Sequence, residues 1–311
     1  MGREAGGPRV VVPDMSRLAN GAIAEAEGPR VPGHALAARI GAKRADANGA
    51  ACLPGSSPRR HTLERMAAPT ITDAVVLRSF GFGEADRVLH VYTHSRGRVG
   101  VVAKGVRRTK SRFGGRLEPF SHVELSIHRG RGELGTVTGA SLVRSHDAIR
   151  TSPYRLQVGL VGLEAMLRLY TEEEQNDRAF LALTRFLDAL DARSTQPGRR
   201  PALDPLVLSF QLKLLWIEGF LPHLTSCVEC GADEALVAFL PSAGGAVCAA
   251  CDPGGIGLSP GGLRGLVALL GTPIADAPAV GLDDRAARDV LAVVTSSYEY
   301  HGGFRLRTLA S

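Results

Sequence analysis

No uninterrupted apolar stretch in the 311-residue chain approaches the ~20 residues that a membrane-crossing helix needs, so neither a membrane span nor a membrane partner is expected. The N-terminus also lacks a short apolar core behind a basic start. No secretory leader is expected, and the chain reads as cytoplasmic. Cysteine is scarce: there are five, of which Cys52 stands alone and the others form two tight pairs. In a reducing compartment disulfides are disfavoured, and paired cysteines point to metal or redox chemistry. Catalytic signatures are missing as well. There is no Walker A sequence, HExxH, GxSxG or paired-carboxylate helix, and nothing pairs a nucleophile with a base. The expectation is a binding protein without catalytic machinery.

What is present is charge, unevenly placed. Residues 1–66 carry 10 Lys+Arg against 6 Asp+Glu, residues 67–150 carry 14 against 7, and residues 151–311 carry 13 against 18. A basic module followed by an acidic one suits polyanion binding by the first, although a solvated basic face is the competing reading of charge alone.

Pattern divides the chain along similar lines. Residues 1–66 are rich in Ala, Gly, Pro and Arg without periodicity, and read as a disordered extension or as sequence upstream of a natural start at Met66. Residues 67–150 read as strands: Ala74–Leu77, Arg87–Tyr92, Arg98–Ala103, Ser121–His128 and Leu134–Val143 are short runs separated by turns. Five such strands suggest a small closed barrel of OB type. From Ser152-Pro153 the period becomes helical, with Leu156, Leu160, Leu163, Leu167 and Tyr170 on one face. Two further helices are expected around Phe180–Leu190 and Leu206–Ile217, within a helical domain over 151–222. A cysteine module spans 223–257, and residues 258–311 are expected to complete the helical domain, with a last helix near Asp283–Tyr300. The fold class is α+β multidomain: an N-terminal five-stranded OB-type β-barrel, then an α-helical domain containing a four-cysteine zinc module.

Cys227, Cys230, Cys248 and Cys251 form two CxxC knuckles with 17 residues between them. Each knuckle turns two thiolates toward one point, and two knuckles complete a tetrahedral four-sulfur shell around one Zn2+. A closed shell leaves no open coordination position, so the zinc is expected to be structural.

Between the third and fourth strands runs an acid-free loop holding Lys104, Arg107, Arg108, Lys110, Arg112 and Arg116, with Phe113 among them and three glycines. Cations release counterions from a phosphate backbone, and Phe113 is expected to stack on a base. Two decoys are set aside. Gly130–Gly135 fits GxGxxG but joins two strands, so a hairpin is expected, not a dinucleotide site. His122-Val-Glu124 echoes a deaminase motif, but it lies on an alternating strand and the cysteines are already employed.

The stretches Ala74–Leu77, Gly83–Arg87, Arg98–Gly114, Leu117–Phe120 and Tyr300–Leu306 together resemble the bacterial DNA repair protein RecO family, over about Met66 to Ser311. The resemblance implies binding of single- and double-stranded DNA and annealing of complementary strands. It further implies partnership with RecR and the C-terminal tail of single-strand-binding protein, and through them the loading of RecA. It carries the DNA-binding role to Lys104, Arg107, Arg108, Lys110, Arg112 and Arg116, and the metal role to the four cysteines. An RNA-binding OB/zinc module in translation or ribosome assembly is the alternative.

Overall fold

The computed structural model describes residues 68–108, 111–130, 132–171, 173–193 and 200–309. The expectations for residues 1–66, and Cys52 with them, lie outside this range. Strands β1 (Thr70–Phe82), β2 (Asp86–Thr93), β3 (Gly97–Ala103), β4 (His122–His128) and β5 (Gly135–Arg144) close into a barrel in the order β1-β2-β3-β5-β4. All neighbours are antiparallel except β3 and β5, which meet in parallel at Val101↔Gly135 and Val102↔Thr136.

The alternation seen in the sequence decides what fills the barrel. Ala74, Val76, Leu89, Val91, Val99, Val101, Ala103, Val123, Leu125, Ile127 and Val137 point inward and are buried. A strand has two faces, so the intervening residues must point out. On β1 the outward Val75 and Leu77, with Tyr92 of β2, join the core of the helical region. A bulge at Leu77, where the register slips between Val76 and Arg78, resets the parity. Beyond it Arg78 pairs with His90 and Phe80 with Val88. Because Leu89 and Val91 face inward, this second pair set faces outward.

The helical region begins with a short α1 (Asp147–Thr151) and continues through α2 (Pro153–Leu169), α3 (Asp177–Ala192) and α4 (Pro205–Ile217). It ends with α5 (Pro260–Gly271) and α6 (Asp284–Ser297), the latter running into a π-turn at Tyr298–Gly302. Five of these six starts are fixed by a side-chain oxygen accepting an otherwise orphaned N–H, from Ser152, Asn176, Asp204, Ser259 and Asp283. Proline occupies the first turn of α2, α4 and α5. Helix α4 is buried over nearly its whole length and forms the centre on which the others pack. Between α4 and α5 a small sheet, ordered β7-β6-β8, is built from β6 (Leu236–Leu240), β7 (Gly245–Cys248) and β8 (Ile256–Gly257).

The barrel interior is a core of its own, and the outer face of β1 and β2, with Phe120, packs into the core of the helices. Phe120, held at φ 73, inserts its ring against α2 at Gly159, where a Cβ would lie 2.7 Å from the ring. Such a φ is costly for a bulky residue. It is held by the Phe120 N–H donating to the Val76 carbonyl (2.9 Å) and by the Phe120 carbonyl, 2.8 Å from the His146 ring. At the far side Gly97, at φ +66, lets the β2–β3 turn pass against the Glu174 backbone with no room for a side chain. Glu173 accepts from Arg96 (2.7 Å) and Arg129 (2.6 Å), joining two barrel turns to the segment between α2 and α3.

Candidate nucleic-acid interface and metal centre

The basic loop leaves β3 at Lys104 and is stitched to the β1–β2 hairpin. The Gly105 N–H donates to Asp86 Oδ1 (2.8 Å), and the Arg107 N–H to the Ala85 carbonyl (3.0 Å). Further along, the Ser111 N–H donates to the Arg108 carbonyl (2.9 Å) and the Arg116 N–H to that of Phe113 (3.2 Å), where a 3-10 turn runs Gly114–Leu117. Lys104, Arg107, Arg108, Arg112 and Arg116 are all exposed, while Lys110 lies outside the described residues. The structure therefore brings five of the six expected cations together on one anchored loop. Among the described residues no carboxylate forms an ion pair with any of these five, so their charge is available to phosphate.

Phe113 is a correction. It is 1% exposed and sits with Leu117 in the barrel's own core, so it cannot stack on a base. The barrel end needs an apolar closure, and a ring flanked by Gly114 at φ +53 can be turned inward to supply it. What covers the ring is the guanidinium of Arg112, 4.7 Å from its centroid.

Exposed aromatics lie elsewhere. Phe80 and Phe82, on the outer half of β1, are 41% and 57% exposed. The Arg78 guanidinium lies 5.9 Å from the Phe80 centroid and the His90 ring 5.7 Å from it. Burial, with Arg98 and Arg78 adding repulsion, lowers the His90 pKa below the ordinary imidazole value, so it is neutral near pH 7. Arg87 instead faces the barrel mouth and is paired with Glu118 at 2.7 Å. A cleft of about 460 Å³ there is lined by Ser79, Phe80, Gly81, Arg87, Arg107, Glu118 and Pro119. The Arg107 guanidinium lies over the strand at Gly81, 3.5 Å from where a Cβ would be. A signal for these rings was available in the sequence: Phe80-Gly81-Phe82 breaks the expected strand pattern just before a turn, where a buried aromatic has no core to enter.

The two CxxC knuckles converge as their spacing predicts. The Cys227 carbonyl accepts from Gly231 (2.8 Å), a turn completed by glycine at φ +77, and the Cys248 carbonyl from Cys251 (3.1 Å). All four sulfurs lie within 4.8 Å of one another, and none is in a disulfide. Cys230 and Cys248 Sγ are 3.7 Å apart. Tetrahedral coordination at ~2.3 Å separates sulfurs by about 3.8 Å, so the cage has the size that one metal ion requires. Backbone N–H groups, chiefly those of Cys230 and Cys248, hold the Cys227 thiol down at about 6, whereas hydrogen bonds with Cys230 and Cys248 push Cys251 up to about 12. Four crowded thiols cannot all ionise by themselves, and a bound cation is what would make that possible.

The two look-alike motifs lie at a strand connection and on a strand. Gly130–Gly135 joins β4 to β5 and opens no helix. His122 is partly buried against the Phe180 ring at 5.7 Å, and Glu124 is exposed on the same strand. No helix among the described residues is long and apolar enough to cross a membrane.

Residues 66–146 match the family described as recombination protein O N terminal, and residues 150–310 match recombination protein O C terminal. The chain belongs to the recombination protein O family. It is 40% identical over 227 residues to the DNA repair protein RecO of Rubrobacter xylanophilus, covering 71% of this chain and 88% of that one. To the DNA repair protein RecO of a Nocardioides species it is 42% identical over 224 residues, covering 70% and 87%. To that of an Anaeromyxobacter species, strain K, it is 34% identical over 238 residues, covering 75% and 91%. Family and barrel together place the chain in DNA repair.

Proposed function

We propose that this RecO-family chain is a cytoplasmic, non-catalytic recombination mediator that binds single- and double-stranded DNA through the loop Lys104–Arg116. On this reading it anneals complementary strands, engages the C-terminal tail of single-strand-binding protein, and works with RecR to help load RecA. The observation that carries the reading is the row of five exposed cations on a loop fastened to the β1–β2 hairpin. Cations that grip phosphate leave base edges free, so one strand can be offered to another without sequence preference. One Zn2+ on Cys227, Cys230, Cys248 and Cys251 is proposed as scaffold, because four thiolates leave no position for substrate.

The test is charge reversal of Arg107, Arg108 and Arg112 together, followed by filter binding and strand annealing across a salt series. Binding should weaken at every salt concentration and its dependence on salt should flatten. Unchanged binding and annealing would remove the loop from the interface. Competition between DNA and RNA single strands of equal length separates this reading from the RNA-binding alternative, which neither the family nor the fold favours.

A further inference from the structure

We propose that Phe80 and Phe82 form a stacking platform for unpaired nucleobases, set beside the phosphate-binding loop. The proposal rests on the nucleic-acid reading above and adds what the cations cannot supply, a means of telling single strand from duplex.

Three observations converge. First, both rings are exposed on a strand whose other large apolar side chains between Ala74 and Leu77 are buried; the bulge at Leu77 is what turns them outward. Helices cover the Val75 and Tyr92 end of this outer face, and the Phe80 end is left open. Secondly, the platform is stiffened from one side only. Arg78 and His90 pack against Phe80, while Phe82 lies beyond it toward the turn. Alternate residues of a strand are ~6.8 Å apart, which is also about twice the thickness of a stacked base. Each ring can therefore carry a base of its own, at a spacing a single strand can span. Thirdly, the surroundings suit a polyanion. On the rings' own face the cation is Arg78, against Phe80, while Arg107, hydrogen-bonded to the hairpin through Ala85, lies over Gly81 on the opposite face and shares a cleft with Phe80. Asp86, the nearest acid on β2, has one oxygen occupied by the Gly105 N–H. Glu84, at the tip of the turn, is exposed and limits how far the site extends.

Stacking engages a base by its face, and every base has one, so the platform is sequence-tolerant. A base held this way keeps its pairing edge in solvent. A duplex offers no free face along its length and would meet the loop alone.

The experiment uses the full chain with its metal. Phe80→Ala/Phe82→Ala is compared with the parent on a short single strand carrying 2-aminopurine and on the same sequence as duplex. Single-strand affinity should fall roughly tenfold to a hundredfold. Duplex affinity should stay within about twofold, the salt dependence should be unchanged, and the 2-aminopurine signal of stacking should be lost. Phe80→Tyr/Phe82→Tyr should retain all of these. Equal loss on both forms by a folded variant, or no loss on either, overturns the platform. If the alanine variant does not fold, Phe80→Leu/Phe82→Leu keeps the bulk, removes the π-face, and decides on the same comparison. A parent protein that binds neither form overturns the underlying nucleic-acid reading and the platform with it. Normal duplex and single-strand binding by the folded alanine or leucine variant overturns the platform alone.

Discussion

Asp204 shows how much one side chain can hold. Its carboxylate is fully buried, caps α4 through the Leu206 N–H (2.9 Å), accepts from the Tyr154 hydroxyl (2.8 Å) and pairs with Arg193 (2.7 Å). Breaking a buried pair leaves the partner uncompensated at a cost of ~3–5 kcal/mol. Arg193 keeps 15% of its side chain in solvent, so the low end of that range applies. Asp204→Ala should cost about 3 kcal/mol in denaturant unfolding, and Asp204→Asn less, because asparagine still caps. Glu218 makes the opposite case. It ends α4 near the hydroxyls of Tyr170, Tyr92 and Tyr298, and burial, with Glu174 adding repulsion, raises its pKa. A carboxyl whose folded pKa is raised binds its proton more tightly when folded, so stability falls as pH climbs from the unfolded value toward the folded one. Glu218→Gln should therefore raise the melting temperature at about pH 8 and change it little near pH 4, below the unfolded value. The variant-minus-parent difference is the quantity to read, since other titrations cancel in it.

At the scale of elements, contacts between them are set by missing side chains as much as by present ones. Gly162 on α2 receives the Phe186 ring of α3, which is itself stacked on Phe210 at 4.4 Å and has nowhere to move. Alanine improves helix propensity by up to ~1 kcal/mol, yet overpacking a rigid core costs ~1–3. Gly162→Ala should be net destabilising, with a lowered denaturation midpoint. This is also where the sequence stops being legible. All five strands, α2, α3, α4, α6 and the CxxC cage can be read, because each follows from a repeat of 2 or 3.6 or from a fixed spacing. Helix α5 falls within the helices expected over 258–311 and carries Leu263, Leu266, Leu269 and Leu270 at helical steps, but Gly261, Gly262 and Gly265 obscure its bounds, and Gly262 and Gly265 are there to admit Asp289 and Leu282. Phe113 misleads for a related reason. Composition places an aromatic among arginines at an interface, and only the closed barrel shows that its end must be plugged.

For the whole molecule, the packing of the barrel's outer face into the helical core changes what metal loss should do. The cage has a small apolar cluster of its own around Cys227, Ala238, Val247 and Cys248, but its sheet also sends Phe239 and Ala246 into the main core. Cys227→Ser, or chelation, should lower the melting temperature and release one metal equivalent, because site assembly and folding are coupled. The sequence alone suggests that DNA contact survives this if the barrel folds by itself. With Val75, Leu77, Tyr92 and Phe120 packed among the helices, partial loss of DNA binding at physiological temperature is the expected outcome. Binding should recover on cooling or on addition of metal.

The plug made by Phe113 and Leu117 has a calorimetric consequence. A loop pinned from inside by two side chains that are each 1% exposed has little apolar surface left to bury when a polyanion arrives. Association with duplex should then be driven by released counterions, with a heat capacity change near zero. A large negative value would mean that the ring leaves its socket and the loop refolds around the DNA.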